Sequence, residues 1–458
     1  MEISTIVQNQ RNYFKLHKTK DIEFRKACLI RLKQELIKRE KDIAAAMYKD
    51  FRKPEFETVM TETGIVQLEL KLAISKLRSW ARPRTVLPAL LNFPSSCKVY
   101  KEPYGTVLLI APWNYPFQLV FSPLIGAIAA GNTVVIKPSE LSAHTSKVVS
   151  EIIAAVFDPG HVTVIEGEVA VAARLLRERW DYIFFTGSIA VGKIVAKAAA
   201  EHLTPVTLEL GGKNPCIVDE TANVALAARR IIWGKFINCG QTCIAPDYVL
   251  VHESVKSQFI EHCIKEIKTN YGENAKNSPD YSRIINQANF RNLLSLLQGQ
   301  NLLTGGESDA GDLFIAPTLV DNPQRTSSLM QHEIFGPLLP IVSYATEQEI
   351  HDYIQSYEKP LALYVFSNHV HFIDRIIDKH SFGGGTVNDT IVHFANHRIP
   401  FGGVGHSGTG AYHGKHSFDT FSFTKGISTR YNWLDLPVRY APYRDKLKAL
   451  KIFMRWFS

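Results

Sequence analysis

The chain has 458 residues, of which 45% are hydrophobic and 21% charged, and a formal net charge of +8. That length exceeds one simple core and predicts two or three domains. The composition is that of a soluble globular protein, and so modest a charge gives no argument for nucleic-acid binding. Six cysteines (Cys28, Cys97, Cys216, Cys239, Cys243 and Cys263) are sparse and mostly in apolar surroundings. They suit a reducing compartment better than a disulfide framework. Met1 to Gln10 is mixed polar and charged residues follow at once, so no signal peptide is read and a cytoplasmic location is expected.

Glu23 to Tyr48 sets leucines and isoleucines among charged residues at near-helical spacing, and Thr63 to Trp80 repeats the pattern. Arg82-Pro83-Arg84 breaks it, and Val86 to Val99 reads as irregular. No charged residue lies between Glu102 and Lys137, a span long enough to cross a membrane. Prolines at 112, 116 and 123, with Asn114 and Asn132, interrupt it. Such residues fit a lipid-exposed helix badly, so buried strand, loop, helix and strand are expected instead.

From Gly105 onward short apolar strands alternate with helices. Strands are read at 106–110, 133–136, 162–165 and 182–185, and helices at 122–130, 143–156 and 191–200. This texture predicts a Rossmann-like parallel sheet with helices on both faces. Gly211-Gly212 opens a second α/β region, with a helix at 224–236, a strand at 247–251, a helix at 255–270 and a buried strand at 361–366.

Two segments carry chemistry. Asn238-Cys239-Gly240-Gln241-Thr242-Cys243-Ile244-Ala245-Pro246 sets a thiol among small uncharged neighbours, and Thr207-Leu208-Glu209-Leu210-Gly211-Gly212 holds a carboxylate 34 residues earlier (243 − 209). A thiol and a distant carboxylate, each beside glycine-rich backbone, suit covalent catalysis followed by attack of activated water. A lone cysteine is ordinarily a small buried hydrophobe, and Glu209 alone could be a solvated strand carboxylate. Cys239 and Cys243 could form a metal pair, but no second ligand pair follows, and no metal is expected. The late histidines (393, 397, 406, 413 and 416, with 380) read mostly as loop residues.

Together the two segments resemble the aldehyde dehydrogenase superfamily over roughly residues 5–425. The resemblance implies that Cys243 is the nucleophile and Glu209 the general base for a thioester. Members of the coenzyme-A-acylating branch typically lack that glutamate, so hydrolysis to the acid is expected. Ala111-Pro112-Trp113-Asn114-Tyr115-Pro116 matches the family loop whose asparagine, here Asn114, shares an oxyanion hole with the Cys243 backbone N–H.

No G-x-G-x-x-G fingerprint occurs. Instead Phe185-Thr186-Gly187-Ser188-Ile189-Ala190-Val191-Gly192 follows a strand and opens a helix, offering N–H groups to a pyrophosphate. The family uses Gly187, Ser188 and Gly192 in this way, and holds the adenosine ribose through Lys137 and Glu140. Its later Glu-x-Phe, here Glu333 and Phe335, grips the nicotinamide ribose and ring, with Trp113 among the cofactor contacts. His332 departs from the acid common there. A carboxylate at Glu140 should repel a 2′-phosphate, favouring NAD while leaving NADP open.

Residues 399–408, with Tyr412-His413-Gly414, resemble the class 3 branch, which includes fatty aldehyde enzymes and forms homodimers. The implied partition is an NAD(P)-binding domain at 1–81 and 101–210, and a catalytic domain at 211–395. Bridging segments at 82–100 and 396–430 and a basic tail at 431–458 complete it. Tyr115, Leu119, Trp233, Phe401 and His413 are expected to line an apolar substrate channel. The implied substrate is a medium- or long-chain aliphatic or aromatic aldehyde. The alternatives are an enzyme dedicated to a polyisoprenoid or carotenoid aldehyde and, from another class, a cofactor-independent thiol esterase.

The tail from Arg444 is too short and charged to span a membrane. Arg444, Lys448, Lys451 and Arg455 fall on one helical face, and Leu447, Leu450, Met454 and Phe457 on another. Such a helix either lies peripherally on the inner face of an anionic membrane or docks on its own dimer.

Overall fold

The computed structural model describes residues 2–89, 92–435 and 437–457, without the side chains of Val438, Trp456 and Phe457. Two compact units divide the chain: Met1–Trp80 with Pro103–Phe423, and Ala81–Glu102 with Thr424–Ser458.

The larger unit holds two sheets that separate in sequence between Glu209 and Pro215. The first has six strands in the order Gly408–Thr409, Val206–Glu209, Tyr182–Thr186, Thr106–Ile110, Thr133–Lys137 and Val162–Val164. All pair in parallel except the edge, where Gly408 lies antiparallel to Glu209. The central strands are buried along their length because helices cover both faces, which is why they read as unbroken apolar runs. The second sheet has seven strands and is parallel from Thr318–Asp321 through Leu338–Tyr344, Tyr248–His252, Pro215–Val218 and Ala362–Phe366 to Gly384–Val387.

The uncharged stretch forms strand, loop, helix and strand as expected, and every residue of its Gln118–Ala130 helix is buried. Glu62 caps that helix: its Oε2 accepts from Phe117 N and Gln118 N at 3.0 Å each, while Oε1 accepts from the buried Lys53 Nζ at 2.8 Å. Among the described residues no helix is long and apolar enough to cross a membrane.

Three elements differ from the sequence reading. The helix expected over 23–48 breaks at Arg39, which leaves helical geometry while its guanidinium bonds Asp42 and Glu151; the helices are Ile22–Lys38 and Glu40–Phe51. Gly64–Ala81 is preceded by a π-helical turn, Val59–Thr63, which hydrophobic spacing does not distinguish from an α-turn. The stretch 86–99, read as irregular, supplies strands Arg84–Val86 and Ser95–Pro103, paired with Val86 opposite Cys97. Neither face of these strands is deeply buried, so the alternation that marks a half-buried strand is missing.

Those strands and Ser422–Arg430 make the three-stranded sheet of the smaller unit. Tyr431 N donates to Pro94 O at 3.0 Å, and Lys425 pairs with Glu102 at 2.8 Å. The tail forms helix Lys446–Phe457, on which Leu447, Leu450, Ile452 and Met454 are all exposed. Residues 396–423, expected with the bridging segments, pack in the larger unit.

Candidate active site

The thiol loop begins where helix Val224–Phe236 ends. Asn238, Cys239 and Gly240 have φ of 55°, 54° and 73°, three successive left-handed residues. For a residue with a Cβ that conformation costs about 1–2 kcal/mol, so the surroundings must hold it. Asn238 N donates to the buried Glu57 Oε1 at 2.7 Å, and Asn238 Nδ2 donates to Asn114 O at 2.8 Å. A Cβ at Gly240 would sit 2.3 Å from Gly336 O, so only glycine permits the close approach.

Beyond this turn the loop is tied on each side. Gln241 Nε2 donates to Arg283 O at 3.0 Å, and Gln241 Oε1 accepts from Ile285 N at 3.0 Å. Asn214 Nδ2 donates to Cys243 O at 2.7 Å, and the Tyr364 hydroxyl donates to Ile244 O at 2.6 Å. Cys243 is thereby presented to an apolar cavity of about 160 Å³. Burial, then the Glu333 and Glu209 carboxylates, push its thiol up to about 12. Cys239 is buried outside that cavity, and burial pushes it up to about 12 as well.

Glu209 ends its strand facing the same cavity. It is buried, not solvated, and among the described residues neither carboxylate oxygen has a hydrogen-bond partner. Burial holds its pKa well above the ordinary carboxylate value. A buried, unpaired carboxylate beside a thiol is costly to maintain, and it is chemically able to accept a proton from water.

The other expected cavity residues divide. Tyr115, Leu119, Trp233 and Phe401 line it. Tyr115 is fixed by its hydroxyl, 2.7 Å from Thr242 Oγ1, and by Lys53 Nζ, 4.1 Å from its ring centroid. His413 does not belong to the lining. Phe401 and Tyr412 form an antiparallel bridge, and the chain leaves extended geometry at His413, whose φ is 82°. Tyr412 takes the cavity side, while His413 is buried with its Nδ1 2.6 Å from Glu69 Oε1. Met60, Thr61, Ile65, Gln118, Ile391, Val392, Phe394 and Ala395 line the cavity without having been anticipated. Met60 and Thr61 lie on the π-turn, whose local twist no hydrophobic pattern reveals.

Asn114 is buried against the thiol loop. Its Nδ2 donates one hydrogen bond, to Gln241 O at 3.1 Å. A carboxamide carries two N–H bonds, so one remains for a second acceptor.

The expected cofactor residues occupy three strand ends. Ser188 caps helix Ile189–Ala200 by accepting from Val191 N at 3.4 Å, next to Gly187, and Gly192 packs against Leu210. Lys137 is buried, and its Nζ donates to Pro138 O at 2.7 Å and to Glu140 Oε2 at 2.9 Å. The ring of Phe335 stands edge-on to Trp113, with centroids 5.4 Å apart. Glu333 reaches over Gly211, where a Cβ would meet its carboxylate at 2.1 Å. Burial, then the charge of Asp247, push the Glu333 carboxyl up to about 8. Its Oε1 is buried without a partner, as is Thr186 Oγ1. Unpaired acceptors beside a helix N-terminus fit the hydroxyls and pyrophosphate of a dinucleotide. Among the described residues no group of three metal-ligating side chains occurs.

The model of the aldehyde dehydrogenase family matches residues 1–427. The chain is 48% identical over 445 residues to a 4,4′-diaponeurosporen-aldehyde dehydrogenase of Staphylococcus aureus, covering 97% of each protein. It is 45% identical to a dog aldehyde dehydrogenase described as dimeric and NADP-preferring, covering 97% of this chain and 99% of that one. A solved structure of the substrate-bound state of Staphylococcus aureus AldH superposes with a TM-score of 0.97 at 47% identity, covering 99% of this chain and 100% of that one. The chain belongs to the aldehyde dehydrogenase family and is an NAD(P)-dependent aldehyde dehydrogenase.

Proposed function

We propose that the protein oxidises apolar aldehydes to carboxylic acids by the hydrolytic route, with Cys243, Glu209 and Asn114 as its working groups. The observation that carries this reading is the pairing of the Cys243 thiol with the unpartnered Glu209 carboxylate on one apolar cavity. Cys243 Sγ bonds to the carbonyl carbon as its S–H bond breaks, the C=O π pair moves to the oxygen, and that oxygen takes up the thiol's proton. The second N–H of Asn114 and the backbone N–H of Cys243 stabilise that oxygen. Bound NAD(P)⁺ supplies the acceptor for the hydride that leaves the same carbon. The oxygen's proton passes to solvent as the C=O bond re-forms, and Cys243 then carries a thioester. Glu209 takes a proton from water, whose oxygen attacks the acyl carbon, and the C–S bond breaks to return the thiol and release the acid.

Lys137 with Glu140, the helix start at Gly187–Ser188, Gly192, Trp113, Glu333 and Phe335 hold the dinucleotide. Glu140 accepts from a ribose hydroxyl and favours NAD, and its partial exposure leaves room for NADP. The lining of Leu119, Trp233, Ile237, Phe394 and Phe401 supports an apolar substrate. A polyisoprenoid aldehyde is the second reading, favoured by the name of the 48% identical Staphylococcus aureus relative. The three-stranded sheet around Ser95–Pro103 and Ser422–Arg430 would join two copies as a homodimer. We further infer a cytoplasmic location, in which helix Lys446–Phe457 touches the inner face of an anionic membrane.

The test follows nicotinamide reduction with aldehydes from acetaldehyde to long-chain, aromatic and polyisoprenoid members. It is run with NAD and with NADP, and with and without coenzyme A. Turnover without coenzyme A that improves with chain length is the expected result. A requirement for coenzyme A would overturn the hydrolytic step, and acyl-ester cleavage as the sole activity would favour the thiol esterase.

A further inference from the structure

Two buried carboxylates stand on consecutive turns beside the thiol loop, Glu57 on the short helix Glu55–Thr58 and Glu62 on the π-helical turn that follows. One ammonium serves them. Lys53 Nζ lies 2.8 Å from Glu62 Oε1, and Glu62 Oε2 accepts from Phe117 N and Gln118 N, so Glu62 is partnered on both oxygens. Among the described residues Glu57 has no ion pair, and its carboxylate accepts one hydrogen bond, from Asn238 N at 2.7 Å. Glu57 also lines a recess of about 320 Å³ whose rim carries the exposed Phe56, Arg229 and Asp280, so solvent reaches this carboxylate.

The single bond falls where the thiol loop begins. Asn238 opens the left-handed run, and its side chain donates to Asn114 O at 2.8 Å and to Gln241 O at 3.1 Å. At the other end of the loop, the backbone N–H groups of Cys243 and Ile244 bond the Cys243 sulfur in the resting site and favour its thiolate. The aim of those two donors depends on a turn whose first N–H is held by Glu57. A carboxylate accepts roughly twice as strongly as a neutral oxygen, so the charge on Glu57 sets how tightly the turn is closed. Burial pushes its pKa up to about 7, against the Lys53 charge and the Asn238 bond and together with the charges of Glu62 and Asp280. Tyr115, Tyr271 and Cys239 also face it, and Arg229 shares its recess. Both protonation states are therefore populated near neutrality.

We propose that Glu57 is a positioning residue for the nucleophile: its ionised carboxylate closes the left-handed turn that carries Cys243, and proton uptake from the recess slackens that turn. The inference rests on Cys243 being the reacting thiol and adds a control over how the thiol is presented. Glu57 acts through Asn238 N and the turn, not on the substrate.

The experiment measures alkylation of Cys243 by iodoacetamide, mapped to its peptide by mass spectrometry, across pH in the wild type, Glu57→Gln and Glu57→Leu. Neither aldehyde nor cofactor is added, so deacylation by Glu209 does not enter. Glutamine offers a neutral acceptor of the same shape and stands in for the protonated acid at every pH. The wild-type rate divided by the Glu57→Gln rate should be about one well below pH 7 and rise to roughly three- to tenfold well above it. Glu57→Leu leaves a buried N–H unpaired and should be slower than Glu57→Gln by roughly ten- to hundredfold at every pH. A ratio to the glutamine variant that stays at one would overturn the positioning role. So would a ratio below one at high pH, the sign expected if the Glu57 charge only repelled the thiolate through space. If Glu57→Leu does not fold, the glutamine ratio decides alone. The expected pattern in a protein that oxidises no aldehyde would remove the function proposed above and keep the role of Glu57.

Discussion

The loop around Cys243 and the helix Lys446–Phe457 are both short segments near charged side chains, and they are held in opposite ways. Three consecutive left-handed residues in the loop are held through Glu57 and Asn114, and the residues that follow by Arg283, Asn214 and Tyr364, all drawn from distant parts of the chain. The tail helix keeps Leu447, Leu450, Ile452 and Met454 exposed. A strained reactive turn persists only where packing over-determines it, whereas an amphipathic helix can keep its apolar face free for another surface. Substitutions in the first region should therefore damage chemistry or stability, and removal of the second should leave chemistry alone.

The largest effect is expected from Cys243→Ala, which removes the bond-forming atom. Aldehyde oxidation should vanish in the spectrophotometric assay, while calorimetric titration still detects cofactor binding. Retained oxidation would refute the assignment. Glu209→Gln should slow deacylation by roughly 10²–10⁴-fold, leaving a burst of reduced cofactor before a weak steady state.

The pH profile sharpens that test. Burial raises the Glu209 pKa, so the acid form persists above the ordinary carboxylate range and the basic form grows as pH rises. Deacylation in the wild type should increase with pH through this raised value, and Glu209→Gln should lose that limb. An unchanged limb would place the titrating base elsewhere.

Glu62→Gln tests how firmly the site side is held. Glu62 and Lys53 are both fully buried, and Glu62 also accepts from the start of helix Gln118–Ala130. Removing one partner of a buried pair costs about 3–5 kcal/mol, to be read from urea unfolding. The smallest effect belongs to the tail: deleting Tyr440–Ser458 should leave turnover of a soluble aldehyde unchanged while abolishing binding to anionic liposomes. Liposome binding that survives the deletion would end the membrane role.

Much of the larger unit was readable in advance because its strands are buried on both faces. The helices Ala143–Val156 and Val224–Phe236 appear with the expected ends. The arm strands were missed because partly exposed strands carry no apolar alternation. His413 misled for a different reason: its neighbour Tyr412 faces the cavity, while His413 takes a left-handed φ of 82° and turns to Glu69.

By itself, the sequence determined the reactive groups. Their motifs demand particular atoms (a thiol, a carboxylate, glycines where a Cβ cannot fit), and those demands are written residue by residue. Only the tertiary structure decided that Glu209 is buried without a partner among the described residues, that Asn114 bonds the thiol loop, and that Met60 and Ile65 line the cavity. Burial, pairing and the lining of a cavity arise between segments far apart in the chain, and no local pattern encodes them.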